Sequence, residues 1–193
     1  MFDSFAGIDE VGRGSIAGPV VAGCVRLPKR WKHKKYLNDS KKLSEKERVR
    51  LFELIIQDCE FGIGIMSNQH VDTLGIRLST HLAMLRAFNK LKDLDHLLID
   101  GRDNFQFPIP AKYIIKGDQK EPCIMAASIL AKVYRDSLMK RYSKIHPEYG
   151  FDRHKGYGTK LHMENILQSS FCEIHRRSFN IITDNGKNSF CNL

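Results

Sequence analysis

The five cysteines include no C-x-x-C pair, and their number is odd. A disulfide framework and a structural zinc site are therefore not expected, and a reducing compartment, the cytoplasm, fits best. Cys24, Cys59, Cys123, Cys172 and Cys191 read mostly as buried packing. No apolar run approaches the roughly 18 residues of a membrane span, so no membrane partner is expected. The opening Met-Phe-Asp-Ser-Phe lacks a basic stretch followed by an apolar one, so it does not read as a signal peptide. Internal repeats and low-complexity linkers are missing too. So is any acidic surplus: 31 Lys and Arg stand against 22 Asp and Glu, a net charge of +9. That balance favours a polyanionic partner, nucleic acid first, although it also suits a merely basic soluble protein.

What is present reads as one domain over residues 1–180, followed by a polar, frayed tail at 181–193. Phe5 to Asp9 reads as a strand, then Gly12-Arg13-Gly14 as a tight turn. Pro19 to Leu27 is a second, Val-rich strand. Ser44 and Glu47 form a capping-box pattern ahead of a helix over 45–58, with Val49, Phe52, Ile55 and Ile56 on one face. Phe61–Ile65 alternates as a strand. Ile76 to Leu91 keeps helical spacing. His96–Asp100 and Lys112–Lys116 read as strands. Pro122 opens a long helix to about 146, and a last helix covers 159–168. This order suggests an α/β fold, a mixed β-sheet flanked by helices, with a C-terminal helical segment.

Four acids stand at or beside strand ends: Asp9, Glu10, Asp100 and Asp118. Brought together in one cleft, they would repel one another unless a cation joined them. Hard oxygen donors suit Mg²⁺ or Mn²⁺, and two such ions can activate water and stabilise the leaving oxygen of a phosphodiester. Singly, each acid has a plainer reading: an Asp-Gly after a strand is ordinary turn chemistry. Gly12-Arg13-Gly14 offers backbone amides and a guanidinium to a phosphate, or is only a turn. Asn38-Asp39-Ser40-Lys41-Lys42 could hold phosphate near a helix start, or be a solvated loop. Tyr157, between Gly156 and Gly158, could stack on a sugar or base, or be a partly buried core tyrosine.

Taken in order, these segments resemble ribonuclease HII, the type 2 ribonuclease H family. The matching stretches are Gly7–Gly14, Gly18–Val21, Asn38–Ser44, Ile99–Gly101, Lys116–Asp118, Ala126–Val133, Arg135-Asp136, Tyr149–Phe151, His154–Thr159 and His175–Phe179. The resemblance implies a ribonuclease H-like fold, hydrolysis of the RNA strand of RNA–DNA hybrids, and nicking 5′ to single ribonucleotides in duplex DNA. It implies two Mg²⁺ or Mn²⁺ ions on Asp9, Glu10, Asp100 and Asp118, with Asp136 as the competing fourth acid. It also implies 5′-phosphate and 3′-hydroxyl products. Gly12, Arg13 and Gly14 would meet the ribose 2′-OH, and Tyr157 the following deoxyribose. Asn38, Ser40, Lys41 and Lys42 would help hold the backbone, with binding weakened by salt. Ser128, Lys132, His154 and Arg176 form a second tier.

The sequence departs from the family pattern at Ser15, where Pro is usual, and before His175, where Gly is usual. A monomer is expected, with no protein partner legible. A type 3 ribonuclease H is the sister alternative, though its turn usually reads Gly-Lys-Gly and an extra N-terminal domain precedes it. A non-catalytic basic nucleic-acid-binding module and a DNA junction resolvase are the alternatives from other classes.

Overall fold

A computed structural model describes residues 1–179; the polar tail expected at 181–193 lies outside the described residues. Five strands form one sheet in the order β3-β2-β1-β4-β5. These are β1 (Phe5–Val11), β2 (Val20–Arg26), β3 (Glu60–Met66), β4 (His96–Asp100) and β5 (Ala111–Ile114). The first three run antiparallel, whereas β4 and β5 run parallel to β1 and to each other.

Two helices pave the face that carries the acids. α1 (Glu45–Asp58) starts on the expected capping box, in which Ser44 Oγ accepts from the Glu47 amide and Glu47 accepts from the Ser44 amide. α3 (Pro122–Ile145) crosses β1 and β2 at close range. Its approach demands small residues on both sides. A Cβ at Gly7 would lie 2.2 Å from the Cys123 carbonyl carbon, and one at Gly23 would lie 2.6 Å from the Ala127 carbonyl oxygen. Ala126, Ala127 and Ala131 meet the sheet from the helix side, all fully buried. α2 (Asn68–Phe88) covers the opposite face with Val71, Ala83, Met84 and Ala87, packed on Ala6, Ile8, Val20 and Ala22. The C-terminal segment, α4 (Phe151–His154) and α5 (Lys160–Ser169), docks on the far half of α3 around Met139, Tyr149, Phe151 and Ile166.

Several sequence-based boundaries move. β1 runs on past Asp9 through Glu10 to Val11, because β2 stays in register with it: Asp9 faces Gly23, Glu10 faces Ala22 and Val11 faces Val21. β5 stops at Ile114, two residues short of Lys116, whose φ of 56° is left-handed. α2 begins at Asn68 with Ser67 as its cap and breaks at Gly75, φ 77°. Leu91 is buried beyond its end. α1 buries Leu51 and Ile55, while Val49 and Ile56 are 39% and 41% exposed. Its apolar stripe is wider than the surface it docks on, so the flanking positions stay in water. Among the described residues no helix is long and apolar enough to cross a membrane, and Cys24, Cys59, Cys123 and Cys172 are unpaired thiols.

Candidate active site

Strand periodicity brings the first acids together. Successive side chains alternate between faces, so Asp9 shares the face of Gly7 that α3 covers. On β4, Leu98 packs on the α3 side, and Asp100, two residues on, shares that face. Because Ile8 pairs with Ile99, the two acids occupy adjacent strands at the same level. Asp118 reaches the same place by a different route. The left-handed Lys116 curls the chain after β5, so that the amides of Gly117 and Asp118 donate to Asp100 Oδ1 at 2.6 and 3.3 Å.

The result is a cleft of about 460 Å³ lined by all four acids, the Gly12–Gly14 turn, Ser40, Lys41, Ser128, Lys132 and Tyr157. Its electrostatics are strained. Burial raises the Asp9 carboxyl well above the usual range, and repulsion from Glu10 and Asp100 adds to it. Burial raises Glu10 as well, opposed by Arg13, whose Nη1 lies 3.3 Å from Glu10 Oε1. Asp100 is raised chiefly by burial, against the pull of the two amides. Arg13 also donates to Asp103 Oδ2 at 2.5 Å, a partner that sequence reading missed. Lys41 Nζ stands 3.5 Å from Asp118 Oδ2.

The remaining expected residues divide. Ser40 and Ser128 are buried and share a hydrogen bond of 3.0 Å at the cleft wall. Lys132 lines the cleft, whereas Asp136 does not; it is tied to Lys132 at 2.9 Å, one helical turn further along α3. Asn38 and Lys42 do not line the cleft: Asn38 Oδ1 accepts from the Asp39 amide within its own turn, and Lys42 is exposed. Asp39 is buried, accepting from the Lys41 amide and from Gln119 Nε2, so it braces the loop.

Two second-tier residues are corrected outright. His154 is buried, with Nε2 on the Tyr149 carbonyl and Nδ1 accepting from the Gly156 amide. Arg176 is fully buried and donates to the carbonyls of Gly18 and Arg13. Neither side chain is free to meet a phosphate. Charge alone suggested a surface, but backbone carbonyls supplied by distant segments allow burial.

His154 belongs to a larger histidine cluster. The Cys172 amide donates to His175 Nδ1, so His175 Nε2 carries the proton that faces His162 Nε2 at 3.1 Å. His162 Nδ1 then donates to the Tyr157 carbonyl at 3.0 Å. Both rings are therefore neutral. Burial, then the neighbouring His154, pushes His162 down to about 3, and burial pushes His175 down to about 4. A histidine depressed in the folded state costs stability as pH falls below its unfolded value, until its folded value is reached. Stability should thus decline between about pH 6.5 and 4, by up to about 1.4 kcal/mol per pH unit for each histidine. Urea midpoints of the protein and of H162Q check this. H162Q should show the shallower decline, and parallel curves would refute the assignment.

The acids offer only hard oxygen, and among the described residues no His or Cys lines the cleft. That donor chemistry, with buried carboxylates crowding one another, fits Mg²⁺ or Mn²⁺ better than zinc. As the side chains are placed, no group of three His, Cys, Asp or Glu among the described residues converges closely enough to hold an ion.

The family model described as Ribonuclease HII matches residues 6–182. The chain belongs to the ribonuclease HII family. It is 50% identical to the ribonuclease HII of Chlamydia pneumoniae over 184 residues, covering 94% of this chain and 85% of the relative. The fold is also that of the ribonuclease HII from Archaeoglobus fulgidus, solved in complex with PCNA. The TM-score is 0.74 at 23% identity, over 93% of this chain and 96% of the other. Bst-RNase HIII in complex with Mn²⁺ shares the fold at 18% identity and a TM-score of 0.70, over 85% of this chain and 60% of the other. Family membership at this identity makes the protein a ribonuclease H acting on nucleic acid, and enzymes of this kind depend on divalent metal.

Proposed function

We propose that this member of the family hydrolyses the RNA strand of RNA–DNA hybrids and nicks duplex DNA 5′ to single ribonucleotides, leaving 5′-phosphate and 3′-hydroxyl ends. The observation that carries it is the cleft itself, where four acids share one pocket with the Gly12–Gly14 turn and Tyr157. Asp9, Glu10, Asp100 and Asp118 would hold two Mg²⁺ or Mn²⁺ ions. Bound there, such ions supply Lewis acidity to the attacking water and to the leaving oxygen. The position of Asp118, beside Asp100 and inside the cleft, supports it over Asp136 as the fourth acid.

The protein's own groups supply recognition. Gly14 is open, with nothing within 4 Å of a Cβ placed there, so a ribose can approach the turn closely. The amides of the turn and Arg13 meet the 2′-OH, the group that separates RNA from DNA. Tyr157, half-buried at the rim, presents its ring to the next, deoxy, sugar. Lys41 and Lys132 offer cationic ends within the cleft to the phosphate backbone.

A DNA duplex with a single ribonucleotide, incubated with Mg²⁺ or Mn²⁺, tests the proposal. One nick is expected, immediately 5′ to the ribonucleotide, and none in the all-DNA control. Equal cutting of the control would favour a resolvase-like nuclease, and binding without cutting a non-catalytic module.

A further inference from the structure

Two arginines bury their charge with every hydrogen bond going to backbone carbonyls. Arg135 and Arg176 are both fully buried, and among the described residues neither forms an ion pair. Removing a guanidinium from water is costly unless its donors are matched. Here carbonyls match them. Arg135 donates through Nε to Pro19 at 2.9 Å, through Nη1 to Lys155 at 2.8 Å and through Nη2 to Ala17 at 3.1 Å. Arg176 donates to Gly18 twice and, through Nη1, to the Arg13 carbonyl at 3.0 Å.

Arg135 does more than close hydrogen bonds. Its guanidinium carbon lies 5.5 Å from the centroid of the Tyr157 ring. A Cβ at Gly12 would fall 2.3 Å from its Nε, so the turn after the acids rests directly on it. One side chain thus touches the Gly12 turn, the approach to β2 and the Tyr157 loop. The planar fork of arginine suits that task, because it fixes several acceptors in one plane where a lysine ammonium cannot. Backbone bonds from Ile16 and Ala17 to the Gly156 carbonyl, at 2.9 and 3.2 Å, and a bridge between Ser15 and Tyr157 join the same two loops through the main chain, whereas Arg135 joins them through the Tyr157 side chain.

We infer that Arg135 is a specificity-determining positioning residue: it sets the spacing between the Gly12–Gly14 turn and the Tyr157 ring, and with it the preference for an RNA–DNA junction over a uniform hybrid. This rests on the junction reading proposed above. A junction needs the ribose on the turn and the deoxyribose on the ring at once. A uniform hybrid presents a ribose at both places and depends less on their separation. Arg135 itself is buried and does not meet the substrate.

The test compares kcat/KM on a duplex with one ribonucleotide and on a uniform RNA–DNA hybrid, for the protein and for R135K. Lysine keeps the charge but loses the fork. The junction-to-hybrid ratio should fall about tenfold, mainly through kcat, since small misplacements of a bound substrate are expensive. Adding Y157A to R135K should then cost much less than Y157A alone, because the two residues act through one feature. R135Q, which drops the charge and keeps amide donors, is read in parallel should R135K fail to fold. A ratio unchanged within about twofold, with both activities falling together as the melting temperature falls, would overturn the inference. If the unmodified protein fails to nick at the ribonucleotide, the junction reading itself is lost and this inference with it.

Discussion

D9N should abolish most cleavage while making the metal-free protein more stable. If Asp9 belongs to the proposed metal-binding set, its loss removes several kcal/mol of transition-state stabilisation, a fall in kcat on the order of 10³-fold. The stability effect has the opposite direction. Burial and the charges of Glu10 and Asp100 raise the Asp9 carboxyl in the folded state. A carboxyl with a raised folded value contributes full stability below its unfolded value and loses it as pH rises toward the folded one. At neutral pH the metal-free protein therefore carries this cost, and a neutral amide does not. The melting temperature of metal-free D9N should exceed that of the unmodified protein, by about 2–4 °C for each kcal/mol relieved. Adding Mn²⁺ should raise the unmodified protein's melting temperature more than that of D9N. A D9N protein that cleaves at a comparable rate, or that melts earlier without metal, would contradict this account of the cleft.

Y157A should separate the two substrates. The ring lies at the rim, half-buried, over the Arg135 guanidinium. With base–aromatic stacking, about 1–3 kcal/mol, as the upper scale for a sugar packed on the ring, nicking at a single ribonucleotide should slow by roughly 5-fold and by no more than about 150-fold. Uniform hybrid should be affected less, and the far-ultraviolet circular dichroism should not change. Equal loss on both substrates would remove Tyr157 from junction recognition and leave it a loop-packing residue.

Much of this was legible locally. The Ser44–Glu47 capping box and the strand His96–Asp100 rest on neighbouring residues, and both stand where the sequence places them. Asp9 and Glu10 were harder to place, because two carboxylates resemble the end of a strand. What keeps them inside β1 is the continued antiparallel pairing with Gly23 and Ala22 on β2, a long-range fact. The same holds for His154 and Arg176. Their residue types suggest water, yet carbonyls of Tyr149, Gly18 and Arg13 receive their protons. Asp103 had no motif around it to mark it, and its role as partner of Arg13 depends on two loops meeting. The four acids were recognisable as a set through the order of the motifs, whereas their separation and burial had to come from the fold.

Arg176 finishes the turn that begins at Arg13, across 163 positions of chain. A chain emerging from the ribosome makes Asp9 and Glu10 early and the residue that braces the turn beside them much later. The parallel pairing of β1 with β4 is likewise a late, long-range event, slow to form by comparison with helices. Until the stretch around 176 is released, the turn beside Asp9 and Glu10 lacks its support. The turn beside the acids is thus completed by a segment made long after it, and a chain lacking Arg176 leaves the Arg13 carbonyl without that donor.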